Sequence, residues 1–531
     1  MGKTATSLEA GRKALDRHAW ADALALLKQA DAANELDADG LEMLADAAWW
    51  MAQPTDSIAA RERAFAGFVA TGNTRRATRV ALRLAQDNYN RHALSVAQAW
   101  FARAQKLVEG DQNSAEFGHV MFVSILIGAR ALPESVALGA QIAELGQRFG
   151  DRDLQAYGAM AQGFALVANG DVKAGFAQFD VATLAASAGE LDIWSTGWIY
   201  CATISACREI ADYRRASDWT EATTRWCERQ SITGFPGVCR VHRAEIVALR
   251  GAWAQAEQEA RRACEELQRF QISEVAALGF YEIGEIRLRM GDLPAAQEAF
   301  RRAHELGMVP EPGLSLVRLA EGDAAAAGSS LHRALANSNE RFVRARLLPA
   351  EVEVALALGD RERARAAVTE LDGMAKTFGT PAMDAIAGSA RASVQLADGD
   401  AVAAESTLRT ILRLWLELDV PYEVARTRVL LAATYRGQGD DAAATLELQA
   451  ALATFERLGA RRDARHVTEL LGEAAPTPAS DMSADTVERT FLFTDIARST
   501  KLVDAIGDKA WEDLIRWHDQ TLRSLIAEHR G

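Results

Sequence analysis

From about residue 5 to residue 471 the chain repeats one pattern of polar and apolar positions: a helix-length run, a turn, and a second helix-length run with an apolar stripe. Glycine, usually followed by aspartate, marks the turn at Gly170, Gly251, Gly291, Gly322, Gly359, Gly399 and Gly439, at intervals of 81, 40, 31, 37, 40 and 40 residues. The first interval covers two periods, with Ala211-Asp212 near its middle. Five residues after each glycine stands a small residue: Gly175, Ala256, Ala296, Ala327, Ala364, Ala404 and Ala444. Nine after come Phe179, Ala260, Phe300, Leu331, Val368, Leu408 and Leu448, and twelve after come Ala182, Ala263, Ala303, Ala334, Leu371, Ile411 and Ala451. Steps of four and three put all three positions on one helix face. The glycine therefore closes one helix, the next starts behind it, and its small residues let a neighbouring helix come close. Weaker turns near His18, Pro54, His92 and Ala131 carry the period toward the N-terminus, which predicts roughly twelve hairpins.

A chain of 531 residues is too long for one core, so a repeat array is also what length implies. Its net charge of −14, from 59 basic and 73 acidic residues, argues against a nucleic acid or an anionic membrane as the main partner. The longest apolar stretch, Val120 to Ala129, is ten residues and cannot span a bilayer. Met1 to Trp20 has no apolar core of the kind a signal peptide needs, and Met1 to Thr6 fits a myristoylation pattern only as loosely as chance allows, so the expected location is cytoplasmic. Cys201, Cys207, Cys227, Cys239 and Cys264 lack the two-residue spacing of a zinc or redox motif and are expected between packed helices.

The small, large, small order behind a Gly-Asp turn resembles the second helix of a tetratricopeptide repeat, lengthened to about forty residues. Arrays of this long form are also similar to the sensor regions of large LuxR-type bacterial regulators, although no helix-turn-helix reader follows here. The resemblance implies a mainly α fold, a tetratricopeptide-like α-solenoid over residues 1–471 whose hairpins are stabilised by stacking on their neighbours. The concave face of such an array could hold a protein or peptide partner or a small effector. Arg261, Arg262, Arg301, Arg302 and Arg333 recur at matching positions and could grip acidic groups in register, but exposed helical arginines are ordinary and a solvated face is the simpler expectation. Trp49, Trp50, Trp194, Trp198, Trp219, Trp226 and Trp253 read as packing between helices.

At Gly472 the pattern stops. Residues 472–489, with two prolines and no periodic apolar face, read as a linker. Thr490 to Thr494 reads as a short buried strand, Asp495 stands at its end, Ile496 to Ser499 turns, and Ser499 or Thr500 caps a helix from Lys501. Beyond Gly507, Asp508 caps a second helix whose stripe runs from Trp511 to His529; His518 and His529 read as stripe-edge residues. An acid at a strand end and free N–H groups at a helix start suit a metal-bound triphosphate.

Residues 490–531 resemble the opening of a class III adenylyl/guanylyl cyclase domain of the bacterial type, through the F-x-D-I strand, the Ser-Thr turn, the Gly-Asp break and the helix carrying His518-Asp519. The resemblance implies the truncated start of an α+β domain. In it Asp495 is the first of two aspartates holding Mg²⁺ or Mn²⁺, Ile496 offers its backbone carbonyl to the metal, and Ala497, Arg498, Ser499 and Thr500 surround the phosphates of ATP or GTP. Arg498 stands where the turn usually has a small residue. Family members are homodimers through this domain, and their second aspartate and transition-state groups would follow Gly531. Two functions are thus expected: a signalling cyclase with a helical-repeat sensor and an incomplete catalytic domain, inactive as 531 residues, or a non-catalytic interaction scaffold with a vestigial cyclase segment.

Overall fold

A computed structural model describes residues 7–127, 135–230, 232 and 239–473. The chain divides into two compact units, Met1–Ala474 and Ala475–Gly531. The second unit, with Asp495, Ile496, Ala497, Arg498, Ser499 and Thr500, lies outside the described residues, as does the turn expected near Ala131.

Within the first unit the described residues form 25 helices, which is twelve hairpins and a final helix. The first helices of the hairpins begin with α1 (Ser7–Asp16), α3 (Ala38–Trp50), α5 (Thr74–Asn90), α7 (Ala115–Leu126), α9 (Arg152–Asn169) and α11 (Ile193–Glu209). They continue with α13 (Cys239–Leu249), α15 (Ser273–Arg289), α17 (Gly313–Ala320), α19 (Arg341–Ala357), α21 (Pro381–Ala397), α23 (Pro421–Gly437) and the unpaired α25 (Arg461–Glu473). The second helices are α2 (Trp20–Ala32), α4 (Pro54–Ala70), α6 (Leu94–Leu107), α8 (Ser135–Phe149), α10 (Val172–Ser187) and α12 (Tyr213–Arg229). After them come α14 (Trp253–Arg269), α16 (Leu293–Glu305), α18 (Ala324–Ala336), α20 (Arg361–Phe378), α22 (Ala401–Glu417) and α24 (Asp441–Leu458). No strand occurs among the described residues.

The Gly-Asp pair makes the turn by two separate means. Gly170 and Gly439 adopt φ of 97° and 82°, a left-handed conformation that side chains resist. The following Asp171 and Asp440 are N-caps, each accepting a bond from the backbone N–H three residues on, of Ala174 and Ala443. Where the sequence lacks the glycine the geometry persists: His18, His92 and Ala211 take φ of 57°, 59° and 55° at the equivalent turns. Each costs roughly 1 kcal/mol of strain, which hairpin packing must offset.

The repeat offsets fall where the spacing predicts. Ala256, Ala296, Ala327, Ala364, Ala404 and Ala444 are fully buried, as are Phe179, Phe300, Leu331, Leu408 and Leu448. The exception is Ala334, only partly covered, beside the interval of 31 residues. There α17 has eight residues, against seventeen in α15 and α19, and the missing turns leave α18 uncovered at one end.

Each helix packs on the next in sequence, as in a tetratricopeptide-like array. Odd-numbered helices also pack on the next odd one, from α5 through α7, α9, α11, α13, α15, α17, α19 and α21 to α23, and no even-numbered pair packs comparably among the described residues. Side-by-side contact on one face and splaying on the other is curvature: the odd helices form the inner face, the even helices the outer. The curve also meets itself. The Arg341 guanidinium donates to the Ala168 carbonyl at 3.1 Å, and the Thr380 hydroxyl to the Ile210 carbonyl at 2.7 Å, across 173 and 170 residues of chain. Trp49 of α3 stands edge-on to Trp194 of α11, with ring centroids 4.3 Å apart. No helix of the described residues is long and apolar enough to cross a membrane.

Candidate functional site

Where the inner face closes, it encloses a cavity of about 540 Å³. Its wall comes from eight successive odd helices, α11 to α25, with Tyr213 of α12, Trp415 of α22 and Phe455 of α24 reaching in between them. The size lies within the range of small-ligand sites and is far too small for a folded domain.

The polar part of the wall is organised by the repeat. Arg208 donates through Nε to Glu245 Oε2 at 2.7 Å and through Nη2 to Glu282 Oε1 at 3.1 Å. The two acceptors stand 37 and 74 residues further on, one and two hairpins along the inner face. Arg426 likewise reaches back 73 residues to Glu353. Glu245 also takes a hydrogen bond from His242, Nδ1 to Oε2 at 3.3 Å. Burial acts to raise the Glu245 carboxyl, but the Arg208 charge and the His242 bond outweigh it and hold it at about 2. Glu282 has the opposite fate: burial, then the charge of Glu245, push it up to about 8 against the pull of Arg208. His242, buried, is pushed down and stays neutral near pH 7.

On the neighbouring wall the Tyr281 hydroxyl donates to Glu285 Oε1 at 3.1 Å and accepts from the Gly313 N–H at 3.2 Å. Arg289 pairs with Glu285 at 3.6 Å. Arg346 lies over the Tyr281 ring, 5.7 Å from its centroid, and its Nε is enclosed with no acceptor. Pro349 of the same helix also lines the cavity; having no N–H, it leaves the Ala345 carbonyl without its usual helical donor. Tyr422 donates to Asp463 Oδ2 at 3.2 Å, and burial raises that carboxyl too. Among the described residues no cluster of three or more His, Cys, Asp or Glu could hold a metal ion. The arrangement is one of fixed charges, hydroxyls and aromatic faces.

A second hub of the same design lies three hairpins earlier. Arg79 donates through Nε to Glu116 Oε1 at 3.3 Å and through Nη2 to Asp151 Oδ2 at 2.7 Å, 37 and 72 residues on. His119 Nε2 meets the same Asp151 oxygen at 2.9 Å.

The arginines that the sequence aligns are elsewhere. Arg261, Arg262, Arg301, Arg302 and Arg333 are exposed on α14, α16 and α18 of the outer face. Arg261 bonds Glu257 at 2.6 Å, Arg301 bonds Glu298 at 2.7 Å and Arg302 bonds Glu305 at 3.2 Å, each within its own helix. They form a solvated face, as expected. The tryptophans pack as expected: Trp253 is buried and donates to the Ala248 carbonyl at 3.1 Å, and Trp50 stacks on Trp20. Cys201, Cys207, Cys239 and Cys264 are buried. Sequence reading missed the inner arginines and their acids. Their signal was present, an arginine followed by acids one and two periods on, but it runs along the odd helices, whose register the Gly-Asp turns do not index.

No protein-family model matches the chain, and no curated protein matches it. Among solved structures it is similar to the APC/C hetero-tetramer Cut9-Hcn1, with a TM-score of 0.42 and 12% identity over 89% of this chain and 97% of that one. It is similar to a Rap protein complexed with competence and sporulation factor, with a TM-score of 0.39 and 12% identity over 75% and 99%. For the yeast Tom70 the TM-score is 0.30 and the identity 13%, over 88% and 96%. Scores this low carry neither site nor function across; the hairpin architecture stands on the contacts described above.

Proposed function

We propose that the chain is a helical-repeat docking protein whose inner cavity receives a peptide or an exposed segment of a partner protein. The observation that supports this reading is the cavity wall, built from eight successive odd helices, α11 to α25, and studded with fixed donors and acceptors. A test is to select peptides from a displayed random library on the 531-residue chain and remeasure them on Ser389→Trp, which fills the cavity from α21. Selected peptides should lose at least about tenfold in affinity, while Arg301→Ala on the outer face should change nothing. Peptides that bind Ser389→Trp as well as wild type would overturn the reading.

A second reading makes the array the sensor of a nucleotide cyclase, supported by the residues Phe491 to Thr500 and the helix pattern after them. Asp495 and the Ile496 carbonyl would then hold Mg²⁺ or Mn²⁺, and Ala497, Arg498, Ser499 and Thr500 the phosphates of ATP or GTP, in a homodimer. One aspartate cannot assemble a two-metal site, so the purified 531-residue chain should yield neither cyclic AMP nor cyclic GMP. In a longer chain that supplies the rest of such a domain, Asp495→Asn should lower kcat by about two orders of magnitude; full activity there would end this reading.

A further inference from the structure

The inner cavity is lined by a guanidinium and a carboxyl group whose partners are incomplete, Arg346 and Glu282. Arg208, Arg289 and Arg426 each hold a carboxylate, and Arg346 holds none among the described residues. Its contact with the Tyr281 ring engages the guanidinium but leaves the enclosed Nε without an acceptor. Glu282, which also lines the cavity, is a minor partner of Arg208, at 3.1 Å where Glu245 takes 2.7 Å and Glu209 stands at 3.7 Å, so one guanidinium serves three acidic side chains. Glu282, buried, keeps its proton near neutral pH, and a cation brought beside it would let that carboxyl ionise. Arg346 does not supply it, because the two groups form no ion pair.

We infer that the cavity binds a small zwitterion, its carboxylate on Arg346 of α19 and its ammonium toward Glu282 of α15. A single molecule carrying both charges on an apolar body would satisfy both walls at once, where an anion or a cation would satisfy one. The lining also offers the apolar side chains of Leu249, Ile286, Leu316 and Ile386, and the volume of about 540 Å³ suits an amino acid or a short free peptide. The inference rests on the cavity being the docking site and adds the chemistry of what enters it.

The probes are the free tripeptide Gly-Phe-Gly, its N-acetyl form, its C-terminal amide, and phenylalanine, titrated by calorimetry into the 531-residue chain near neutral pH. The free tripeptide should bind about ten- to a hundredfold more tightly than either blocked form, the loss expected for one charged hydrogen-bonded contact. Phenylalanine binding as well as the tripeptide would identify an amino acid as the natural size; weaker binding would identify a peptide. Arg346→Gln should abolish the advantage of the free over the amidated form, and Glu282→Gln that of the free over the acetylated form, with thermal unfolding no lower in either variant; Arg301→Gln should behave as wild type. Binding that is indifferent to blocking, or unchanged in Arg346→Gln, overturns the inference, as does absence of binding by all four probes. A chain that ignores the probes yet selects library peptides sensitive to Ser389→Trp keeps the docking reading and loses only the zwitterion.

Discussion

The two arginine hubs of the inner face differ in the fate of the acid farthest from the arginine. In the first, Arg79 joins Glu116 and Asp151; in the second, three hairpins on, Arg208 joins Glu245 and Glu282 at nearly the same spacings. Asp151 is the N-cap of α9. Burial acts to raise it, but the hydrogen bond and charge of His119, the Leu154 N–H and Arg79 hold it well below the usual carboxylate range. Glu282 sits inside α15, where no backbone N–H is free, and burial carries it up to about 8. One pairing pattern, repeated, therefore gives a firmly ionised acid in one hub and a protonated one in the other. The repeat sets who meets whom, and position along the helix and depth of burial set the charge.

The largest effect should come from breaking the deeper hub. Arg208→Met leaves Glu245 and Glu282 buried without their cation and should cost about 3–5 kcal/mol in denaturant unfolding. Arg79, whose side chain is 40% exposed, is screened by solvent, and Arg79→Met should cost about 1 kcal/mol or less because His119 and Leu154 still support Asp151. Equal losses would show that the hubs are equivalent after all. Next, both hubs depend on one register, which Ala404→Phe tests by placing a ring where the side chain is fully buried; overpacking should cost about 1–3 kcal/mol. Unchanged stability would break the register on which the comparison stands.

A pH series separates the two acids by sign. Glu282 has a folded value raised above its unfolded one, so its contribution is present at acid pH and is lost as pH rises through about 8. Glu282→Gln should therefore match wild type at low pH and exceed it by about 1–2 kcal/mol above that range. Asp151 has a depressed value, so its contribution is present at neutral pH and is lost as pH falls below the usual carboxylate range. Asp151→Asn should be less stable than wild type by about 1–2 kcal/mol near pH 7, with the gap closing in acid. Unfolding midpoints across pH check both, and parallel curves would refute the contrast. His119→Gln, which removes one supporting contact, should cost about 0.5–1.5 kcal/mol near neutral pH.

How much of this could be read in advance follows from where each signal lives. The even helices announced themselves: α14 and α22 bury one stripe and expose the rest, so Ala256, Ala260 and Ala263 or Ala404, Leu408 and Ile411 stand out at helical spacing. The odd helices did not. In α9 the residues from Ala156 to Ala161 are buried without a break, because neighbours cover that helix on several sides and no clean polar face remains. A cleft made by such helices has no stripe to betray it, and its charged residues look like ordinary surface pairs until their partners are known.

The sequence by itself determined the hairpins, their period, the Gly-Asp turns and the buried offsets, because these are decided within one or two helical turns by φ, capping and periodicity. It also contained the 37-residue step from Arg79 to Glu116 and from Arg208 to Glu245. Only the tertiary structure decided that the odd helices face inward, that Thr380 meets Ile210 across 170 residues to help close the curve, and that Glu282 is buried deeply enough to keep its proton. The small rotation between adjacent hairpins is set by many packing contacts at once, and its sum over several hairpins decides closure. Burial and proton affinity follow from that sum.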